Sequence, residues 1–358
     1  MITLFGATGY TGQLVARALD RAGLPFRVAG RSRAKLTALS GALVSHPPTL
    51  AADARRLDSL AGLFDDTRLL INCAGPFTDL GEPVVAKAAA RGVHYLDITN
   101  ELAYVYRLRR YDELARKTGA AIVPACGFEV AIADCMAASL AAGVPEPIDE
   151  IAVVYALGGA RMSVGTRLSA LRALATSWLA YRGGEIVRQA PAAATRQFAI
   201  GDRAVSAIAF PSAEAVTLPS HVAVRDVTIW LAIPRQAAGI GPGIMPALSG
   251  LLRTPLGWVA AQIIKRVAPL PDAQTRADNR FVIQVEARSG KEIRSQRVTG
   301  RDVYGLTAEI VAHAARVMIG EGYSQVGVLA PSRAFDPAGF LDWIRGYATH
   351  ADSPAKAE

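Results

Sequence analysis

The chain has 358 residues, of which 51% are hydrophobic and 20% charged, and its formal net charge is +8. This composition excludes a disordered or fibrous protein, and the length predicts about two domains. The basic residues are spread along the chain with few aromatic residues among them, so the charge does not indicate a nucleic-acid-binding protein.

The cysteine and histidine content predicts a protein of a reducing compartment without a structural metal. Cys73, Cys126 and Cys135 have no metal-ligand spacing, and the five histidines are scattered. The longest apolar segment, residues 237–270, is interrupted by glycine, proline and arginine and is not a transmembrane helix. The first residues lack the features of a signal peptide, so we expect a cytoplasmic protein.

Short apolar runs alternate with amphipathic segments from residue 1 to about residue 130. The predicted strands cover residues 2–5, 25–29, 49–52, 69–73, 94–98 and 120–125, and the predicted helices cover residues 10–22, 32–40, 57–64, 81–91 and 102–117. This alternation is typical of a doubly wound parallel sheet with helices on both faces. We therefore predict a Rossmann α/β domain over residues 1–130.

Beyond Cys126 the strands follow one another without a helix between each pair. Strands are predicted at residues 148–157, 197–200, 204–209, 222–233, 280–288 and 291–299, and helices at 131–142, from about 164 to 181, at 304–320 and at 337–347. This order predicts a second, α+β domain over residues 131–330 that contains a mostly antiparallel sheet. Residues 331–358 are expected to return toward the first domain and to end in a frayed tail at 351–358.

A glycine motif follows the first predicted strand and opens the first helix. In residues 6–12, GATGYTG, Gly6 permits a tight turn, Gly9 lets a pyrophosphate approach the backbone, and Gly12 permits close packing of helix on strand. The N-terminus of the helix offers N–H groups to an anion. The predicted dinucleotide-binding residues here are Gly6, Thr8, Gly9, Tyr10, Thr11 and Gly12.

The residues at the end of the second predicted strand distinguish an NAD site from an NADP site. An NAD site places a carboxylate there, whereas this chain has the basic run GRSRAK at residues 30–35. Arg31, Ser32 and Lys35 are expected to bind a 2′-phosphate, so the predicted cofactor is NADP(H). The alternative is a basic helix start that only faces solvent.

Two further loops end predicted strands at the same edge of the sheet. Asp53 follows the third strand, where it either contacts the adenine or caps the next segment. The sequence NCAGPF follows the fourth strand at residues 72–77 and is either a ribose-binding loop or an ordinary turn. Its predicted cofactor-binding residues are Cys73, Ala74, Gly75 and Pro76.

Together these motifs resemble the saccharopine dehydrogenase-like family of NADP-binding oxidoreductases, and most closely its bacterial branch of trans-acting enoyl reductases. The resemblance also includes HYLDITNE at 94–101, SVGT at 163–166 and GVLAPSRAFDP at 327–337. It implies reduction of enoyl or imine groups. The chain departs from the family at Asn100-Glu101, where a glycine–glutamate pair is usual, and at Gly127–Ala131, where Gly-Phe-Asp is usually followed by prolines.

The proton donor of such a reaction is sought among polar residues at the strand ends. No tyrosine has lysine four residues later, which excludes the mechanism of short-chain dehydrogenases. The predicted catalytic residues are Tyr95, Asp97 and Glu129, each of which has the alternative of bracing a loop. Ser163 and Thr166 either cap a helix or, together with Arg167 behind them, face the substrate.

These observations predict an NADPH-dependent oxidoreductase that reduces an activated double bond, of enoyl type, in a hydrophobic or acyl substrate. Two alternatives stay open: a saccharopine-type dehydrogenase that acts on a C–N bond through an imine, and a redox-inert NADP(H)-binding regulator. Segment 237–270 is expected to line a hydrophobic pocket, to form a homodimer interface or to contact a membrane surface. We expect a substrate cleft between the 158–167 turn and the nicotinamide, near Gly75, Asp97 and Cys126.

Overall fold

The computed structural model describes residues 1–144, 147–158, 162–175, 178–189, 194–235, 241–267 and 271–351. The predicted tail beyond residue 351 lies outside this part of the chain. The backbone divides into two compact units. The N-terminal unit comprises Met1–Ala131 and Tyr304–Phe335, and the C-terminal unit comprises Ile132–Val303 and Asp336–Glu358.

The N-terminal unit is built on a seven-stranded parallel sheet. Its first six strands are β1 (Ile2–Phe5), β2 (Phe26–Gly30), β3 (Thr49–Ala51), β4 (Leu69–Asn72), β5 (His94–Asp97) and β6 (Ala121–Val123). They lie in the order β3-β2-β1-β4-β5-β6, and the strand Gly327–Val328 pairs in parallel with β6 at the edge. The central strands β1 and β4 are buried throughout, because both faces of the sheet are covered. The predicted doubly wound sheet is confirmed.

Helices connect these strands. They are α1 (Tyr10–Arg21), α2 (Arg33–Gly41), α3 (Phe77–Leu80), α4 (Glu82–Arg91), α5 (Leu102–Leu108) and α6 (Asp112–Thr118), with 3-10 turns at Leu57–Leu63 and Arg109–Tyr111. Helix α7 (Phe128–Ala141) follows β6 and leads into the C-terminal unit. The predicted helix at 57–64 is therefore a 3-10 turn. The predicted helix at 102–117 is divided by a second 3-10 turn.

A late segment of the chain completes the N-terminal unit. The helix Val303–Ile319 is joined to α1 by an ion pair between Arg21 Nη2 and Glu309 Oε1 and by a hydrogen bond from Arg316 to the carbonyl of Ala22. A short helix, Pro331–Ala334, follows the edge strand. The sequence predicts domain boundaries at residues 130 and 330, whereas the observed N-terminal unit also includes Tyr304–Phe335. The difference arises because the edge strand Gly327–Val328 and the helix before it make their contacts within the N-terminal unit.

The C-terminal unit contains an eight-stranded mixed sheet. Its strands are β7 (Ile148–Gly158), β8 (Trp178–Arg182), β9 (Glu185–Gln189), β10 (Thr195–Ile200), β11 (Arg203–Ala209), β12 (Val224–Ala232), β13 (Arg280–Ser289) and β14 (Glu292–Arg301). The main order is β10-β11-β12-β7-β13-β14, and β8 pairs with β12 and β9. Only β12 and β7 pair in parallel among these strands, so the predicted, mostly antiparallel sheet is confirmed.

The predicted helix from 164 to 181 is wrong in its second half. Helix α8 covers Val164–Ala175, and Trp178–Arg182 is strand β8, which forms a hairpin with β9. The turn between them consists of Gly183 and Gly184, whose φ angles of 60° and 87° suit glycine. A short apolar run in the sequence fits either a helix or a strand. In this protein, pairing with β9 and β12 makes Trp178–Arg182 a strand.

Further helices of the C-terminal unit cover Glu214–Thr217, Gly241–Leu252, Pro255–Val267, Ala273–Asp278 and Pro337–Ala351. The helices Gly241–Leu252 and Pro255–Val267 pack against α8, and Pro337–Ala351 packs against β14. Residues 237–240 and 268–270 of the predicted apolar segment lie outside the described residues. No helix in the described ranges combines the length and the apolar character that crossing a membrane requires.

Candidate cofactor site and active site

The glycine turn after β1 is packed directly against the loop after β4. Gly6 has a φ of 77°, and a Cβ atom on it would lie 2.6 Å from the nitrogen of Ala74. A Cβ atom on Gly12 would lie 2.3 Å from the carbonyl oxygen of Gly6. Both positions therefore require glycine, and the turn and the Cys73-Ala74 loop are held together by backbone contact.

Gly9 has a different environment in the same turn. It is exposed, it has an ordinary φ of −71°, and a Cβ atom on it would approach only the carbonyl oxygen of Gly6, at 3.2 Å. It is the N-cap of α1, which has no side-chain cap and no acidic residue in its first turn. The start of α1, with Tyr10 and Thr11, therefore offers an open surface and a positive helix terminus to an anion, as a pyrophosphate requires.

The basic residues after β2 lie next to this turn. A Cβ atom on Gly30 would lie 3.7 Å from Oγ1 of Thr8, and Arg31 and Lys35 follow with exposed side chains. Ser32 is the N-cap of α2, because its Oγ accepts a hydrogen bond from the N–H of Lys35 at 3.4 Å. In the described part of the chain, no ion pair involves Arg31 or Lys35. Their charges therefore remain available to an anionic ligand.

Asp53 follows β3 at the same edge of the sheet. Its carboxylate accepts the N–H of Arg55 at 3.1 Å, and its backbone exchanges hydrogen bonds with the hydroxyl of Ser59. These hydrogen bonds show that Asp53 caps the segment that follows it. A contact with the adenine stays a prediction.

A buried polar network lies beneath the loops that follow β4 and β5. The hydroxyl of Tyr95 donates to Oδ2 of Asp97 at 2.9 Å, and the hydroxyl of Tyr104 donates to the same oxygen at 3.0 Å. Asn72 donates to the hydroxyl of Tyr95 at 3.0 Å and accepts the N–H of Ala74 at 2.9 Å. The network therefore fixes the loop that packs on Gly6.

The second carboxylate oxygen of Asp97 fixes two further loops. Oδ1 accepts the N–H of Thr99 at 3.1 Å and the N–H of Ala125 at 2.9 Å, and the backbone carbonyl of Asp97 accepts the N–H of Cys126 at 2.7 Å. Burial raises the pKa of Asp97 to about 6, while its four hydrogen bonds oppose that rise. Tyr95 and Asp97 are completely buried and fully engaged, which favours the alternative that they brace the active-site loops.

Cys73 at this edge is a neutral thiol. Burial and the nearby carboxylate of Asp97 raise the pKa of Cys73 to about 12. Cys126 is completely buried. A nucleophilic thiolate is therefore not part of the chemistry that this edge favours.

The two positions at which the sequence departs from the family pattern meet in the structure. Nδ2 of Asn100 donates a hydrogen bond to Oε2 of Glu129 at 3.2 Å, which joins the loop after β5 to the first turn of α7. Both side chains are half-buried. Of the three predicted catalytic residues, Glu129 is the one with exposed surface.

Glu101, in contrast, has a capping role. Its two carboxylate oxygens accept the N–H groups of Phe77 and Thr78 at 3.0 and 2.7 Å, at the start of α3. This interaction fixes the loop that contains Gly75 and Pro76, whose peptide bond is cis. The predicted cofactor loop after β4 is thereby held at both ends.

In the C-terminal unit, Ser163 and Thr166 have the geometry of a helix cap. The N–H of Thr166 donates to Oγ of Ser163 at 3.2 Å, and the two hydroxyl groups lie 3.0 Å apart. Arg167 is half-buried on α8. Residues 159–161 of the predicted turn lie outside the described residues.

Sequence reasoning missed the contribution of Tyr104 and a second buried cluster. A Cβ atom on Gly81 would lie 2.7 Å from the hydroxyl of Tyr104, so a glycine on a neighbouring helix makes room for that ring. In the C-terminal unit, buried Glu214 accepts hydrogen bonds from Tyr155 and Ser212, and burial raises its pKa. No spacing in the sequence relates these residues. In the described ranges, no group of three or more His, Cys, Asp or Glu side chains is arranged to hold a metal ion.

Comparison with known proteins identifies the N-terminal part of the chain. Residues 2–123 match the family model of the saccharopine dehydrogenase NADP binding domain. This match confirms the predicted resemblance and the predicted NADP(H) cofactor. Apo saccharopine dehydrogenase (L-Glu forming) from Saccharomyces cerevisiae has the same fold, with a TM-score of 0.63 at 14% identity over 94% of this chain and 95% of that one.

The curated relatives are longer than this chain. A trans-acting enoyl reductase of Mycobacterium ulcerans is 37% identical over 134 residues, which is 36% of this chain and 32% of that protein. A Mycobacterium tuberculosis protein provisionally given the same name is 37% identical over 187 residues, 49% of this chain and 44% of that protein. An Arabidopsis thaliana protein provisionally named a mitochondrial saccharopine dehydrogenase-like oxidoreductase is 38% identical over 143 residues, 36% of this chain and 32% of that protein. The matches thus span less than half of each relative.

Proposed function

Because residues 2–123 are a saccharopine dehydrogenase-type NADP-binding domain, we propose that the protein is an NADPH-dependent oxidoreductase that reduces an enoyl double bond in a hydrophobic acyl substrate. The observation that carries this proposal is the edge of the parallel sheet, where the glycine turn, the basic loop and three braced loops end side by side. The names of the relatives support the enoyl class.

The residues present fit the cofactor. Gly9 leaves room for a pyrophosphate at the start of α1, and the exposed side chains of Arg31 and Lys35 are suited to a 2′-phosphate. The Cys73–Pro76 loop is placed for the ribose, and Asp53 for the adenine. When bound, NADPH supplies a hydride to one carbon of the double bond.

The protein's own residues position the reaction and provide a proton for the second carbon. Glu129 is our candidate proton donor, because it has exposed surface and its carboxylate is oriented by Asn100. Tyr95 and Asp97 act as positioning residues, because all their polar atoms are directed to loops inside the unit. Reduction of the double bond thus consumes one hydride and one proton, and NADP⁺ is released.

The proposal is tested by anaerobic NADPH oxidation with a series of enoyl thioesters, the matched saturated thioesters and cyclic imines. We expect oxidation with the enoyl thioesters and formation of the saturated product, which mass spectrometry detects. Oxidation with imines alone would favour C–N chemistry. Tight NADPH binding without oxidation of any compound would favour the redox-inert regulator.

The proton donor is tested with Glu129→Gln, for which Glu113→Gln on the exposed face of α6 is the matched control. We expect Glu129→Gln to lower kcat by roughly a hundredfold or more, the range of general acid catalysis, with little change in NADPH affinity. An unchanged kcat and an unchanged pH profile of kcat would contradict the assignment.

A further inference from the structure

The helix Pro255–Val267 has an apolar surface on its outer side. Leu256, Val259 and Ile263 follow one another at helical spacing on one face, and Leu256 and Ile263 are 54% and 56% exposed. We call Leu256, Val259 and Ile263 the apolar face. Trp258 is 68% exposed on another side of the same helix, and Leu251, on the preceding helix, is also exposed. A stable helix in water normally places polar residues on its outer side, so this face is suited to burial against another phase or molecule.

The charged residues that flank the apolar face in sequence are all positive. Arg253 and Arg266 are exposed beside it, and Lys265 belongs to the same helix. The sequence contains no aspartate or glutamate from Val227 to Pro271. The segment that precedes and forms α8, against which the helix packs, also lacks acidic residues, from Ile151 to Gly184.

This charge distribution favours an anionic occupant over a second copy of the chain. A twofold dimer places the same patch of both subunits in contact, so the exposed arginines of one subunit would meet those of the other. The surface is also a convex helix. The two cavities described in this unit are lined by other residues, around Trp178 and Trp230 and around Leu157 and Phe281. A convex apolar helix with flanking cations and an exposed tryptophan has the properties of an interfacial helix.

We propose that the apolar face inserts into the headgroup region of a membrane that contains anionic lipids, with Arg253 and Arg266 at the level of the phosphates. The apolar side chains supply the part of the binding that does not depend on lipid charge. The cations supply the selectivity for anionic lipid. This surface lies outside the residues proposed for cofactor binding and catalysis.

Binding is measured by co-sedimentation of the full-length protein with vesicles of phosphatidylcholine, alone or mixed with phosphatidylglycerol. We expect tighter binding to the mixed vesicles and a loss of that preference at high ionic strength. Of the four tryptophans, Trp178 and Trp230 are buried, Trp343 is half-buried and Trp258 is exposed, so Trp258 is the one whose environment insertion should change. Its emission should shift to the blue with the mixed vesicles, and Trp258→Phe should remove the shift.

Ile263→Glu should weaken binding to the mixed vesicles at least tenfold, because it places a like charge among anionic lipids and removes an inserted side chain. The matched control is Ile293→Glu in β14, since Ile293 has a similar exposure of 59% and lies in the same unit. Arg266→Gln should weaken binding to the mixed vesicles about fivefold and leave binding to phosphatidylcholine unchanged. An unchanged circular dichroism spectrum and an unchanged melting temperature in each variant show that the C-terminal unit is folded.

Four results would overturn the proposal. One is equal binding of Ile263→Glu and the unmodified protein, and another is equal loss of binding in the Ile293→Glu control. The third is a dimer in light scattering that Ile263→Glu dissociates, without vesicle binding, which would assign the face to a second copy. If the protein binds an acidic protein but no vesicles, and Arg266→Gln abolishes that binding, the membrane proposal is also rejected.

Discussion

Asp97 illustrates how a single buried carboxylate serves several loops at once. Its two side-chain oxygens accept two phenol hydroxyls and two backbone N–H groups, and its carbonyl accepts a third N–H. The loops concerned follow β5 and β6, and Asn72 extends the network to the loop after β4. Because one carboxylate joins all of these loops, Asp97 is a structural determinant of this edge of the sheet.

The raised pKa of Asp97 predicts a pH-dependent stability. Its pKa is about 6 in the folded protein and 3.8 without such burial, so the contribution to stability is fully present at low pH and is lost as the pH rises through about 6. Asn cannot ionise. We therefore expect the free energy of unfolding of the unmodified protein, relative to Asp97→Asn, to fall by about 2 kcal/mol between about pH 4 and pH 7.

Urea unfolding at several pH values measures this difference, and Asp58→Asn, at an exposed aspartate, is the control. A difference between the unmodified protein and Asp97→Asn that is independent of pH would contradict the raised pKa.

Arg31 is expected to discriminate between the two dinucleotides. Its exposed guanidinium follows β2 and makes no ion pair with the described residues, so a 2′-phosphate is a suitable partner. A charge-assisted hydrogen bond contributes about 1.5–3 kcal/mol, so Arg31→Ala should weaken NADPH binding roughly tenfold or more while NADH binding changes little. Calorimetric titration measures both affinities.

The control for Arg31→Ala is Arg17→Ala, at an exposed arginine of α1. Equal affinities of the unmodified protein for NADPH and NADH would reject the 2′-phosphate site. So would an unchanged preference in Arg31→Ala.

At the scale of elements, the turn between β1 and α1 combines two kinds of glycine. Gly12 is needed for the packing of the helix on the turn, since a Cβ atom would lie 2.3 Å from the carbonyl oxygen of Gly6. Gly9 is exposed and tolerates a side chain sterically within the protein, but a side chain there would occupy the place of a pyrophosphate.

Gly9→Val and Gly12→Val should therefore fail in different ways. We expect Gly9→Val to lose NADPH binding with a melting temperature close to that of the unmodified protein, and Gly12→Val to lower the melting temperature by several degrees. Thermal unfolding without nucleotide and fluorescence titration with NADPH separate the two effects. Retained NADPH affinity in a folded Gly9→Val variant would reject the dinucleotide site at this turn.

At the scale of the molecule, the N-terminal unit is discontinuous in sequence. Tyr304–Phe335 returns to it and supplies the edge strand beside β6, and Tyr304 packs edge-to-face on Tyr10 with ring centroids 5.1 Å apart. A doubly wound sheet without this segment would expose the edge of β6 and the apolar surfaces that the returning helix covers.

Two fragments test this organisation. We expect residues 1–131 alone to aggregate or to unfold without cooperativity, whereas residues 1–131 joined by a flexible linker to residues 304–335 should unfold cooperatively and bind NADPH. Circular dichroism and nucleotide titration measure both properties. Equal stability and affinity of the two fragments would mean that the returning segment is dispensable to the N-terminal unit.

Much of this architecture was determined by local sequence. The alternation of apolar runs and amphipathic segments up to residue 130, and the GATGYTG motif in its strand-to-helix context, predicted the parallel sheet and the cofactor class, because both depend on periodicity and on residue type at neighbouring positions. The second sheet was also predicted, although the Trp178–Arg182 strand was mistaken for helix.

The tertiary structure alone decided which polar residues meet. Tyr104 reaches Asp97 because Gly81, on another helix, leaves space for its ring, and Asn100 meets Glu129 across two loops. The pairing of Gly327–Val328 with β6 likewise joins segments about two hundred residues apart in the chain. Such contacts arise when separate elements pack in three dimensions, so no periodicity or spacing in the sequence encodes them, whereas turns and strands are set by the residues beside them.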